Sequence, residues 1–119
     1  MTRMQIDLRD KVVIVTGAGR GIGAEICRAL AREGEIAIAF DVIQEDLDAM
    51  GSWLESVGGR GAQHLVDVRD ADQVNDAVAR VIDEFGSVDV LVNNAGVEGN
   101  GMTDELSDDK WDRVFDVNV

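Results

Sequence analysis

Residues Thr16-Gly17-Ala18-Gly19-Arg20-Gly21-Ile22-Gly23 put four glycines into eight positions, between a run of β-branched residues and a segment of helical spacing. Glycine reaches backbone conformations closed to other residues and leaves room for a ligand against the main chain. The free N–H groups at the start of a helix attract anions. Together these are the means of gripping phosphate. Gly17 is expected to make the tight turn, Gly21 to let the backbone approach a pyrophosphate, and Gly23 to let the helix pack closely on a sheet. Thr16, Gly19, Arg20 and Ile22 complete the loop. A bare strand-to-helix turn is the competing reading, and the residues that follow weigh against it.

Asp41 closes a second apolar run, 24 residues after Gly17, where a dinucleotide-binding fold sets the carboxylate that reads a ribose. Such a carboxylate accepts from both ribose hydroxyls and repels a 2′-phosphate. No Lys or Arg lies in 42–48 to neutralise it. The expected cofactor is therefore NAD, with NADP disfavoured. An ordinary solvated turn aspartate is the alternative for Asp41.

The glycine spacing is G-x-x-x-G-x-G, not G-x-G-x-x-G, because position 22 is Ile. Together with Asn93-Asn94-Ala95-Gly96 after another apolar run, it resembles the short-chain dehydrogenase/reductase family over residues 8–119, about half of what that family needs. The resemblance implies further roles. Arg20, just before the second motif glycine, matches a basic residue that can help hold a 2′-phosphate, a point in favour of NADP. Asp67 and Val68 match an acidic-apolar pair that clamps adenine, Asp67 accepting from its amine; a turn or cap aspartate is the rival, with Asp70 and Asp72 close by. Asn93 would tie neighbouring strand ends together, with Asn94 beside it, while Ala95 and Gly96 let backbone pass close to the cofactor ribose. Asn118, in a segment taken as helical, matches the catalytic asparagine that anchors a water in the proton relay.

The elements that position these residues are legible from hydrophobic spacing. Strands are expected at 11–16, 36–40, 62–66 and 88–92, the first without alternation, as in a parallel sheet covered on both faces. Helices are expected from Gly21 to Gly34 with Ile22, Ile26, Ala29 and Leu30 as the stripe, over 47–57, and over 74–85 ending at Gly86. A fourth begins after Ser107 and is cut at Val119. The implied fold is α/β, a Rossmann-type doubly wound parallel sheet of order 3-2-1-4 truncated after strand four. Residues 1–10 are expected to be a disordered lead-in and 11–119 an incomplete NAD-binding domain. Cys27, His64, Trp53 and Trp111 are expected to be structural, and no His or Cys cluster suggests a metal.

The chain has 24 acidic against 11 basic residues, a formal charge of -13 that disfavours nucleic acid and anionic membranes. Its nine Arg against two Lys are consistent with salt adaptation or with base composition. One cysteine, no signal-like leader and no long apolar run point to the cytoplasm. The resemblance implies an oxidoreductase moving hydride between a nicotinamide and a small-molecule alcohol or ketone, a homo-oligomer when complete. The family's Tyr, its Lys four residues on and its Ser are not here: the chain has no Tyr, and Lys11 and Lys110 stand elsewhere. The 119 residues alone are thus expected to be inactive, with strand four left as an apolar edge that makes the chain marginal or self-associating. The alternative is a non-catalytic nucleotide-binding module or degenerate paralogue.

Overall fold

The computed structural model describes residues 9–94 and the backbone of 115–118. Along the chain run β1 (Val12–Thr16), α1 (Gly21–Arg32), β2 (Ile36–Asp41), α2 (Gln44–Ser56), β3 (Arg60–Leu65), α3 (Ala71–Phe85), β4 (Val90–Asn93) and β5 (Phe115–Asn118). All pairings are parallel, in the order β3-β2-β1-β4-β5. The expected order of the first four strands is observed, and their carboxyl ends share one edge of the sheet.

The fifth strand corrects the expectation of a helix through the last residues: the backbone of Phe115–Asn118 pairs in register with β4, Asn118 opposite Asn93. Phe-Asp-Val-Asn alternates apolar and polar, a strand period, and pairing satisfies the β4 edge that would otherwise expose unpaired N–H and C=O groups. Ser107 and Trp111 lie outside the described residues, as do residues 1–8.

Two cores sandwich the sheet. On one face α3 covers Val12, Ile14, Ile36, Ile38, Phe40 and Leu91; on the other, α1 and α2 cover Val13, Val15, Ala37, Ala39 and Val92. β2 sorts its side chains by size, Ile36, Ile38 and Phe40 toward α3, and Ala37 and Ala39 toward the helix pair. The small side lets two helices lie close to the sheet.

The stripe expected on α1 is rotated. Gly23, Ala24, Cys27 and Ala31 face the core, whereas Ile26 and Leu30 are only half-buried and Ile22 is 67% exposed. Close approach to the sheet selects small residues, so the largest side chains do not mark the buried face. α3 begins and ends as its sequence dictates: the Asp70 carboxylate caps it, accepting from the N–H of Asp72 and Gln73, and Gly86 closes it with φ 92°.

Asp10 belongs to the fold and not to a disordered lead-in. It takes φ 68°, its N–H donates to Gly34 O at 3.1 Å, and its carboxylate accepts from Arg60. Trp53 packs on α1, with the guanidinium carbons of Arg28 and Arg32 at 5.9 and 5.2 Å from its ring. No helix among the described residues is long and apolar enough to cross a membrane.

Candidate functional site

The loop between β1 and α1 sits at the carboxyl edge of the sheet. Gly17 and Gly21 both have positive φ, 64° and 61°. Gly23 is fixed by contact instead: a Cβ there would stand 2.0 Å from Gly17 O and 2.7 Å from Asn94 Nδ2. The first turn of α1 thus lies directly on the loop backbone. Around Gly21, by contrast, a Cβ would meet nothing within 4 Å. That side of the loop is open to a ligand.

Of the three helices among the described residues, α1 alone has neither a capping side chain nor an acidic residue in its first turn. α3 is capped by Asp70, and α2 carries Glu45 and Asp46 in its first turn. An uncapped N-terminus with partial positive charge is the place where an external anion supplies what a side chain supplies elsewhere.

Asp41 reaches this loop from the end of β2. Its Oδ2 accepts from the Gly19 N–H at 2.6 Å, and its Oδ1 from its neighbour Val42 N–H, also at 2.6 Å. Two N–H donors hold the carboxylate at the loop's lip, each oxygen keeping a lone pair for a further donor. Gly19 has no room for a side chain, since a Cβ would come within 2.6 Å of Asp41 Oδ2 and 2.8 Å of Asp46 Cβ. Arg20, exposed at 70%, donates from Nε to Asp46 Oδ2 at 2.8 Å, and that bond raises its already high pKa further. Spacing alone had not singled out Asp46, because an acidic residue in a helix's first turn is accounted for by the helix itself.

Thr16 is buried and joins the strand ends. Its Oγ1 accepts from Asn94 N–H at 3.0 Å and lies 3.4 Å from both Val92 O and Asn93 Oδ1. Asn94 Nδ2 donates to Gly17 O at 3.4 Å. Asn93 through its side chain, and Asn94 through its backbone and side chain, thus contact the end of β1 and the glycine loop. The backbone of Asn118 stands opposite Asn93 at the same edge, on a strand. Ala95 and Gly96 lie outside the described residues.

Asp67 stands two residues past β3. Arg69 engages it with both its backbone N–H and its guanidinium, at 3.0 to 3.1 Å, and this contact holds the carboxyl below the usual carboxylate range. The local turn thus already uses much of the acceptor capacity expected to face adenine. Val68 packs at the margin of the α3 core. An open groove of about 750 Å³ shares Gly19, Arg20, Gly21 and Ile22 with the loop but continues along α1 to Arg28 and Ala29, away from Asp41. The uncapped start of α1 lies at the end of that groove next to the glycines.

Cys27 lies in the core, its thiol pushed up to about 11 by burial, and so is no nucleophile at neutral pH. His64 is edge-on to Phe40, with ring centroids 5.9 Å apart, and burial lowers its pKa. No group of three or more His, Cys, Asp or Glu among the described residues is placed to hold a metal.

The same arrangement has counterparts among known proteins. A 2-keto-3-deoxy-D-gluconate dehydrogenase from Streptococcus agalactiae superposes with a TM-score of 0.69 and 37% identity, over 76% of this chain and 34% of that one. A hydroxysteroid dehydrogenase from Escherichia coli gives 0.71 and 29%, over 76% and 39%. In sequence, a 3-oxoacyl acyl-carrier-protein reductase of Thermotoga maritima is 36% identical over 112 residues, 94% of this chain and 46% of that protein. The 2,3-dihydro-2,3-dihydroxybenzoate dehydrogenase of Bacillus subtilis is 37% identical over 111 residues, 93% and 42%. The chain thus spans less than half the length of these curated relatives. The sequence pattern of the family described as short chain dehydrogenase matches residues 11–119, from the strand before the glycine loop to the last residue. With its glycine turn, its strand order and that match over nearly all its length, the chain belongs to the short-chain dehydrogenase family.

Proposed function

We propose that this chain forms the NAD-binding part of an oxidoreductase that moves hydride between the nicotinamide and a small-molecule alcohol or ketone. The observation that carries the reading is the Asp41 carboxylate held at 2.6 Å by the Gly19 N–H, one strand over from an uncapped helix start. The residues present fit a dinucleotide. Gly23 closes the cradle against Gly17, Gly21 leaves its outer side open, and Asp41 offers acceptors where an adenosine ribose would lie. When bound, the nicotinamide supplies the hydride chemistry.

The chain's own residues bind and orient. The N–H groups at the mouth of α1 take the pyrophosphate, and Asp41 takes the ribose hydroxyls and excludes a 2′-phosphate. Asn93, Asn94 and Thr16 keep the strand ends, and with them the loop, in place. In this reading Asp67 and Val68 border the adenine, Ala95 and Gly96 the ribose, and Asn118 anchors a water of the proton relay. The proton-handling Tyr and Lys that the family implies are not among these 119 residues, so the chain by itself binds but does not turn over substrate.

Calorimetry with NAD, NADP and AMP tests the reading. Hydrogen bonds to a charged group are worth about 1.5–3 kcal/mol, so Asp41→Ala is expected to weaken NAD roughly ten- to a hundredfold and to narrow its advantage over NADP. An unchanged NAD/NADP ratio refutes the role of Asp41; no binding of any of the three at millimolar concentration refutes the site.

A further inference from the structure

Arg20 is the one cation in the glycine loop, and its guanidinium is engaged through Nε. Nε donates to Asp46 Oδ2 at 2.8 Å, across 26 residues of sequence, from the loop to the first turn of α2. Asp46 and Asp41 flank the same residue: a Cβ on Gly19 would stand 2.8 Å from Asp46 Cβ and 2.6 Å from Asp41 Oδ2. Two carboxylates therefore border the spot where the NAD-binding reading sets the ribose, and Arg20 beside them is turned toward one of the two.

We propose that Asp46 is a specificity-determining positioning residue, whose ion pair with Arg20 withholds that cation from a ribose 2′-phosphate and so adds to the preference for NAD over NADP. The inference rests on the NAD-binding reading above. Its physical content is directional. An exposed ion pair contributes little to folding, yet it decides where the guanidinium points. A 2′-phosphate that drew Arg20 away would leave Asp46, only 22% exposed, without that partner beside a new anion. A 2′-hydroxyl brings no such conflict. Asp46 also has reason to stay, since an acidic side chain in a helix's first turn interacts favourably with the N-terminal dipole. Asp41 discriminates by repelling the phosphate; Asp46 discriminates by occupying what would attract it.

The test is calorimetric titration of NAD and NADP into the protein and its Asp46→Asn, Asp46→Glu and Asp46→Asn/Arg20→Ala variants. An NMR measurement of the Arg20 Nε–Hε resonance reports whether the pair has been released. Asp46→Asn is expected to shift that resonance and to tighten NADP roughly three- to tenfold relative to NAD. Asp46→Glu should restore the parent ratio, and the double variant should lose the gain. An unchanged ratio in Asp46→Asn overturns the proposal, as does a gain that survives removal of Arg20, which would mark simple loss of negative charge. If Asp41→Ala narrows the preference while Asp46→Asn does not, this inference falls and the NAD-binding reading stands. If the parent protein binds neither nucleotide, both fall.

Discussion

Replacing Gly23 by alanine sets two effects against each other. Gly23 sits in the first turn of α1 without a positive φ, so in open space alanine would stabilise the helix by about 1 kcal/mol. Here its Cβ would stand 2.0 Å from Gly17 O and 2.8 Å from Gly17 C, both backbone atoms that cannot swing aside. Restoring ordinary contact at about 3.4 Å requires the helix start and the loop to separate by about 1.4 Å. Overpacking of this kind costs about 1–3 kcal/mol, often more when the obstacle is backbone. Because the obstacle is backbone, the upper end of that range applies, and less the helix gain of about 1 kcal/mol the expected net loss is about 2 kcal/mol, a fall of roughly 8–16 °C in Tm for a domain of this size. Gly21→Ala is the internal control, because it meets no atom within 4 Å and suffers only its φ of 61° and the left-handed penalty of about 1–2 kcal/mol. Urea and thermal unfolding of the two variants should rank Gly23→Ala as the more destabilised, with the proposed nucleotide binding lost in parallel. A Gly23→Ala variant as stable as the parent protein would refute the contact between helix and loop.

Other outcomes follow from single residues. Asp70→Ala removes the acceptor for two N–H groups of α3 and should lower unfolding stability by about 1 kcal/mol in a denaturant titration; no change would mean that water replaces the cap fully. His64 has a folded pKa below the ordinary 6.5, burial being the main cause, with Glu84 opposing and Arg80 reinforcing the shift. Its neutral form is favoured by folding, so its contribution is present above pH 6.5 and is lost as pH falls through the folded pKa. As the sequence contains one histidine, its NMR titration is unambiguous, and a midpoint at or above 6.5 would contradict the burial. Cys27, with its thiol pushed up to about 11, should resist alkylation at pH 8 in the folded protein and react on unfolding; rapid labelling of the native state would place it outside the core.

The parallel strands were legible because Val12, Val13, Ile14 and Val15 form an unbroken β-branched run, and a strand buried on both faces permits no polar alternation. Gly86 announced the end of α3 through local backbone chemistry alone, whereas its start was expected at 74 and lies at Ala71, capped by Asp70, one of two aspartates that offered themselves as caps. The buried face of α1 was less legible, because Ile22 and Ile26 outweigh Ala24 and Cys27 in hydrophobicity while the sheet demands small residues. The sequence around Asp67 signalled a carboxylate, but not that Arg69 two residues on would bind it, since such a pair depends on the turn between them. The Arg20 to Asp46 pair was hidden for a related reason: it spans two elements, and neither residue is unusual in its own. The segment before Val119 read as a helix beginning after Ser107; the four residues Phe115–Asn118 do alternate at a strand period, but so short a pattern becomes decisive only beside the open edge of β4, a tertiary demand.

The size sorting along β2 reaches beyond the core. Ala37 and Ala39 set how low α1 and α2 ride above the sheet, and the same strand ends in Asp41, which touches Gly19 just ahead of α1. The buried methyl groups thus act as a spacer gauge for a surface contact several residues away. A methylene or two added at Ala39 would lift both helices and stretch the 2.6 Å bond to Gly19, so the nucleotide selectivity proposed for Asp41 would drift through substitutions that never meet the ligand.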